Sequence, residues 1–214
     1  MSLLIIHLLL FIPCLFTDAS KILVIYFSRA GENYAVGNVE KGNTEVLVDY
    51  ITKITGAKSF KIEPRIAYPE NYEETVRIAN EEKSANSRPE IKEALSSVDD
   101  YDIILLGYPI WHGNLPNIVM TQLENLNFDG KVIFPFNTHE GSGKGTSISD
   151  IKNCVGGGAT VKDGFSLKGS EARKEENYGA VREWLEEEVE VELNSGWSLR
   201  VAWALVVGMV LGLI

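Results

Sequence analysis

The chain holds only two cysteines, Cys14 and Cys154. They form no CxxC pair, no zinc-type spacing and no disulfide framework, and cysteine usage leaves the compartment open. Of the three histidines, no two make a metal-binding pattern. A GxSxG elbow and a GxxxxGK(S/T) loop are both missing, which argues against a hydrolase of that type and against a nucleoside triphosphatase. GxGxxG is also absent after the first apolar run, which disfavours an ordinary dinucleotide domain. Positive charge is short: 20 Lys and Arg stand against 30 Asp and Glu, a net charge of -10 and a pI near 4.9. That balance argues against nucleic acid and anionic membrane surfaces as partners. It is compatible with docking to a basic protein, although solubility is the plainer reason for acidity. No internal repeat is visible.

What is present is apolar surface for a core: 45% of 214 residues are hydrophobic and 9% aromatic. The expected organisation is a domain over residues 21–190 between two unlike ends. Residues 1–20 hold an apolar stretch from Leu3 to Phe16 and small residues before a cleavage point after Ala19. They resemble a secretory signal peptide without its usual basic start, and an uncleaved anchor or a misjudged start site is the alternative. Residues 191–214 run through a short polar linker into the wholly apolar Val201–Ile214. That pattern fits a lipid-anchor signal or a tail anchor, with plain hydrophobic packing as the remaining alternative. The expected location is therefore extracytoplasmic or membrane-associated through the termini, and cytoplasmic if the start site is misjudged.

The stretch that organises the domain is KILVIYFSRAGENYAVGNVEKGNT, Lys21 to Thr44. Ile22 to Phe27 is apolar without alternation, which reads as a strand buried on both faces. The chain then turns to small and polar residues, and Gly42-Asn43-Thr44 opens a helix over Thr44–Thr55, with Asn43 or Thr44 as its cap. Phe60 to Ile62 predicts a second strand, stopped by Pro64. A polar crossover follows, with a helix from Tyr72 to Ser84 and a short helical piece from Ile91 to Leu95. It is too hydrophilic for core and is expected to form a wall of a cleft. Strands are expected over Tyr101–Gly107, Lys131–Phe136 and Thr160–Leu167. Helices are expected from Pro116 to Leu123, from Ser147 to Asn153 and from Glu171 to Val189. Alternating strands and helices imply an α/β fold. The expected architecture has three layers, a doubly wound, five-stranded parallel sheet of order 2-1-3-4-5, and a ligand at the switch point.

Three loops leave the carboxyl ends of the first, third and fourth strands, where this architecture gathers its ligand. The first offers the Ser28 hydroxyl and the helix start at Gly42, Asn43 and Thr44, a seat for a phosphate. Residues 29–41, with Asn33 and Tyr34, are an insertion within it. The second loop runs Tyr108, Pro109, Ile110, Trp111, His112, Gly113. Proline stiffens it and Trp111 offers a flat face to a planar ring, with core-capping as the alternative role. The third, Thr138 to Gly143, is rich in N–H groups and carries His139. Two histidines, His112 and His139, in convergent loops are the candidates for proton transfer.

These motifs, KILVIYFSR, GNTE, LLGYPIWHGNLP and FNTHEGSG, in this order and spacing, resemble the flavodoxin-like family, specifically its bacterial-type branch, from about Lys21 to Glu187. The resemblance implies noncovalently bound FMN. By position, Ser28, Gly42, Asn43 and Thr44 hold its phosphate. Pro109, Ile110, Trp111, His112 and Gly113 flank its ring. Thr138, Glu140, Gly141 and Ser142 form the other ring-contacting loop. The implied activity is an FMN-dependent oxidoreductase that moves electrons or hydride from a donor such as NAD(P)H to a quinone-like or protein acceptor. The alternative is a non-enzymatic electron carrier docking to a basic redox protein. The insertion at residues 29–41 and both apolar ends depart from short flavodoxins.

Overall fold

Successive side chains of a strand point to opposite faces, so a run with no polar residue needs cover on both sides. The computed structural model, which describes residues 21–190, supplies it. In chain order the elements are β1 (Ile22–Tyr26), β2 (Gly31–Asn33), β3 (Gly37–Val39), α1 (Asn43–Thr55), β4 (Lys58–Lys61), α2 (Tyr72–Ser84), β5 (Ile103–Pro109) and α3 (Asn117–Glu124). They continue with β6 (Val132–His139), α4 (Ser147–Val155), β7 (Thr160–Val161), β8 (Phe165–Lys168), α5 (Gly169–Ala172), a 3₁₀ turn (Glu175–Asn177), α6 (Tyr178–Trp184) and a π-helical continuation (Leu185–Glu190). Every pairing in the main sheet is parallel, in the order β4-β1-β5-β6, with β7 and β8 both beside β6. This is the expected 2-1-3-4-5 order with the last strand in two pieces.

The sheet separates two apolar layers. Ile22, Val24 and Tyr26 of β1 join Ile103 and Leu105 of β5 under Leu47, Val48 and Ile51 of α1 and Val181 and Trp184 of α6. Leu23, Ile25 and Phe27 join Ile104, Leu106 and Tyr108 under Ile118, Val119 and Leu123 of α3 and Ile151 of α4. Each fully buried Leu, Ile or Phe contributes about 1.5–3 kcal/mol relative to exposure, so this two-sided core fixes the strand register and with it the loops.

Several boundaries differ from expectation, each for a local reason. The fifth strand is interrupted at Lys162–Gly164. Ile133 points its carbonyl at Lys162 N–H (2.9 Å), so Pro135, two residues on, faces the same neighbour with no N–H to give. Residues 91–95 are not helical. Pro64 and Ile91 form an antiparallel bridge, flanked by Arg65 N–H to Glu90 O and Lys92 N–H to Glu63 O, both 2.8 Å. The last helix is broken into α5, the 3₁₀ turn and α6. Residues 29–41, an uninterpreted insertion in the sequence, form the antiparallel β2–β3 hairpin.

Among the described residues no helix is long and apolar enough to cross a membrane, and no group of acidic, His or Cys side chains could hold a metal. The expected leader and C-terminal tail, residues 1–20 and 191–214, lie outside the described residues.

Candidate functional site

The carboxyl ends of β1, β5 and β6 are in register. Tyr26 pairs with Gly107, Gly107 with Phe136, and Pro109 with Thr138. The loops that follow therefore start side by side. They wall a cavity of about 390 Å³, within the range of small-molecule sites. Ser28, Asn43 and Thr44 line it, with Pro109, Ile110, Trp111 and His112 from the second loop and Thr138, His139 and Glu140 from the third. Gly42, Gly113, Gly141 and Ser142, expected at the site, do not line it.

At one end lies the start of α1. The cap residue is Gly42, not Asn43 or Thr44, and no side chain caps the helix from that position. Glycine is required for space. A side-chain carbon there would lie 2.3 Å from Ser28 Oγ and 2.4 Å from the Arg29 carbonyl oxygen. The close approach lets Ser28 Oγ accept the Glu45 N–H at 3.1 Å, leaving its O–H free to donate. The N–H groups of the first helical turn have no carbonyl in their own helix and carry the positive end of its dipole. Arg173 adds a fixed cation: Nη1 donates to the Lys41 carbonyl (2.8 Å) and to Asn43 Oδ1 (3.0 Å). That bond orients the Asn43 amide so that Nδ2 remains a donor. Behind them, the Thr44 and Thr138 hydroxyls share a buried hydrogen bond of 2.8 Å.

The other end is aromatic. Trp111 N–H donates to Asn114 O at 2.8 Å and Asn114 N–H returns to Trp111 O at 3.0 Å, closing a two-residue turn. His112 (φ 47°) and Gly113 (φ 78°) both take left-handed conformations within it, as a type I′ turn requires. The Trp111 ring meets Phe27 (5.3 Å) and Tyr68 (5.0 Å) edge to face, so the same residue seals the core and faces the cavity. His112 donates from Nε2 to the Val76 carbonyl at 3.0 Å, while Lys83 Nζ donates to the His112 carbonyl at 2.6 Å. Both bonds fasten the loop to α2.

His139 Nδ1 accepts the Gly141 N–H at 2.9 Å, which places the ring proton on Nε2. Burial lowers its pKa below the ordinary imidazole value, so the ring is held neutral. Glu140 lines the cavity but its carboxylate is engaged, accepting Ser170 N–H (2.7 Å) and Ser170 Oγ–H (3.0 Å) at the start of α5.

The remaining wall was not assigned from sequence. Arg29, Asn33 and Tyr34 reach it from the hairpin, Tyr72, Thr75, Val76 and Ala79 from α2, and Gly169 from α5. The polar crossover was expected to form a wall, and the spacing of Tyr72, Thr75, Val76 and Ala79 along one helix face is the signal that could have named its residues.

A protein-family model described as flavodoxin matches residues 21–188. No curated protein matches the chain. Among solved structures, the chain is similar to a Bacteroides eggerthii protein assigned as a flavoprotein, with 27% identity, a TM-score of 0.61, and 78% of this chain and 96% of that one covered. A counterpart from Bacteroides uniformis has 24% identity and a TM-score of 0.63, covering 78% and 99%. A flavoprotein of Lactobacillus acidophilus, solved in complex with FMN, has 23% identity and a TM-score of 0.53, covering 71% and 95%.

Proposed function

The chain belongs to the flavodoxin family, and from that premise we propose that it binds FMN noncovalently in this cleft and acts as an oxidoreductase toward a quinone-like or protein acceptor, with a reduced donor such as NAD(P)H. The observation that carries the reading is that one cavity joins an anion seat to a ring slot. Ser28, Asn43 and Thr44 line the same cavity as Trp111 and His139.

The residues fit the cofactor. The free N–H groups of α1, the Ser28 hydroxyl, the Asn43 amide and the nearby Arg173 would hold its phosphate. The Pro109–His112 and Thr138–Glu140 segments would flank its ring. When bound, FMN supplies one- and two-electron redox chemistry, and the protein supplies position and electrostatics.

The protein's own groups divide the work. Trp111, fixed by its edge contacts, presents a rigid apolar surface and excludes water from one side. Of the two histidines, His139 is the better placed to hydrogen-bond a ligand. Its Nε2–H is unclaimed, whereas His112 Nε2 is committed to Val76. As a neutral ring His139 offers a hydrogen-bond donor to the cleft through Nε2–H. The alternative, a carrier without turnover of its own, is supported by the net charge of -10, which favours docking to a basic partner.

The test is an absorbance spectrum of the purified chain with and without added FMN. A yellow protein that quenches flavin fluorescence at one equivalent is expected, and a chain that ignores FMN overturns the reading. Steady-state oxidation of NAD(P)H with a quinone then separates the two roles, since a carrier alone turns over little.

A further inference from the structure

The β2–β3 hairpin carries a side chain that folding does not account for. Tyr34, at its turn, is 62% exposed, a large aromatic left in water on a cavity wall. It lies against Tyr72, the first residue of α2, with ring centroids 5.9 Å apart and planes inclined by 34°. The two rings form an open wedge at the cavity's hairpin side. Among the described residues neither phenol hydroxyl has a protein hydrogen-bond partner.

The wedge is rigid. Arg29 donates from Nη1 to the Pro69 carbonyl (2.7 Å) and the Glu70 carbonyl (3.2 Å), and from Nη2 to the Glu32 carbonyl. Glu32 N–H donates to Glu70 O at 2.8 Å, and the Glu32 carboxylate accepts both Asn71 Nδ2–H and Tyr72 N–H at 3.0 Å. The hairpin and the start of α2 are therefore one unit, which sets the backbone at Tyr34 beside the cavity before any ligand arrives.

The same bonds decide what the wedge can recognise. Arg29 gives N–H bonds to the carbonyls of Pro69, Glu70 and Glu32, and Lys83 one to the His112 carbonyl, so both cations are positioned by the backbone and not by the wedge. Burial and the Glu73 carboxylate push the Tyr72 phenol above its ordinary pKa, keeping it a neutral donor. What remains is two ring faces and two free O–H donors. That is a site for a flat, uncharged ring with carbonyl oxygens on its edge.

We propose that Tyr34 and Tyr72 form a second aromatic subsite, beside the flavin slot, that binds the acceptor as a neutral quinone ring. This rests on the FMN reading of the same cleft.

The test uses the full chain loaded with oxidised FMN, titrated by calorimetry with a water-soluble 1,4-naphthoquinone. FMN affinity is measured in parallel by fluorescence quenching. Tyr34→Ala and Tyr72→Leu are each expected to weaken naphthoquinone binding roughly two- to tenfold, the worth of one aromatic contact, with FMN affinity at the wild-type value. Tyr34→Phe, which keeps the ring, should retain most of the binding. Because Tyr34 is exposed, its variants also keep the fold intact, which retained FMN binding verifies. Unchanged naphthoquinone binding in both variants overturns the subsite, as does an equal loss for both ligands, which would put the tyrosines in the cofactor seat. Absence of FMN binding in the wild type overturns the flavin reading instead, and this one with it.

Discussion

Thr44 and Thr138 stand 94 positions apart in the chain, yet their hydroxyls share a 2.8 Å hydrogen bond in the floor of the cleft. The bond joins the start of α1 to the end of β6. Removing one partner strands the other in a dry site, so Thr44→Val or Thr138→Val is expected to cost about 1–3 kcal/mol. The double variant should cost clearly less than the sum, because two apolar groups of the same shape satisfy each other. Urea unfolding of the four proteins without FMN checks this, and strict additivity would contradict it.

Gly42 is a second tight point. An added methyl must displace Ser28 Oγ or the Arg29 carbonyl by about an ångström or more, since 2.3 and 2.4 Å are far inside van der Waals contact. Gly42→Ala is expected to destabilise the protein by about 1–3 kcal/mol and to weaken FMN binding more than that of riboflavin, which lacks the phosphate. Comparing the two ligands by fluorescence titration isolates the phosphate seat.

The neutral state of His139 gives a pH dependence of defined sign. Its folded pKa lies below the ordinary value, chiefly through burial. Above about 6.5 both folded and unfolded chains are uncharged there and nothing is lost. As pH falls from that value toward the lower folded pKa, the unfolded chain takes the proton first, so stability declines. His139→Gln lacks this contribution. Urea midpoints of wild type and variant should diverge between pH 7 and pH 5, with the wild type falling faster. Parallel curves would contradict the assignment.

Cys154 is half-buried beside Glu124, with Sγ 4.0 Å from Oε1. Burial first and that carboxylate second push its thiol up to about 11. The thiolate is the reactive form, so alkylation by iodoacetamide at pH 8 should be many-fold slower in the folded protein than in urea. Peptide mass spectrometry at Cys154 reads the rate, and equal rates would refute the shielding.

The parallel sheet and its order were legible because β1, β5 and β6 are apolar without alternation, a pattern that only two-sided burial explains. The three loops were legible because the architecture itself says where strand ends lead. The hairpin was not, since Gly31-Glu32-Asn33 and Gly37-Asn38-Val39 offer no hydrophobic face, and its bonds to residues 69–72 are backbone, guanidinium and Glu32 carboxylate bonds without sequence periodicity. The cap of α1 was misassigned because the residue types at Asn43 and Thr44 suit a cap. The structure instead spends Asn43 on Arg173 and Thr44 on Thr138, and draws Ser28 across from the preceding strand. The break of the fifth strand opposite Pro135 was readable in principle, but only with the hydrogen-bonding side of each β6 residue known.

The bond from Arg173 to the Lys41 carbonyl spans 132 positions, and Glu140 reaches forward to Ser170 in the same way. Ribosomal synthesis delivers the N-terminal strand first, so a nascent polypeptide owns its pigment seat's earliest parts long before the last ones exist. The Asn43 amide and the Glu140 carboxylate gain their partners only once residues 170–173 have been made.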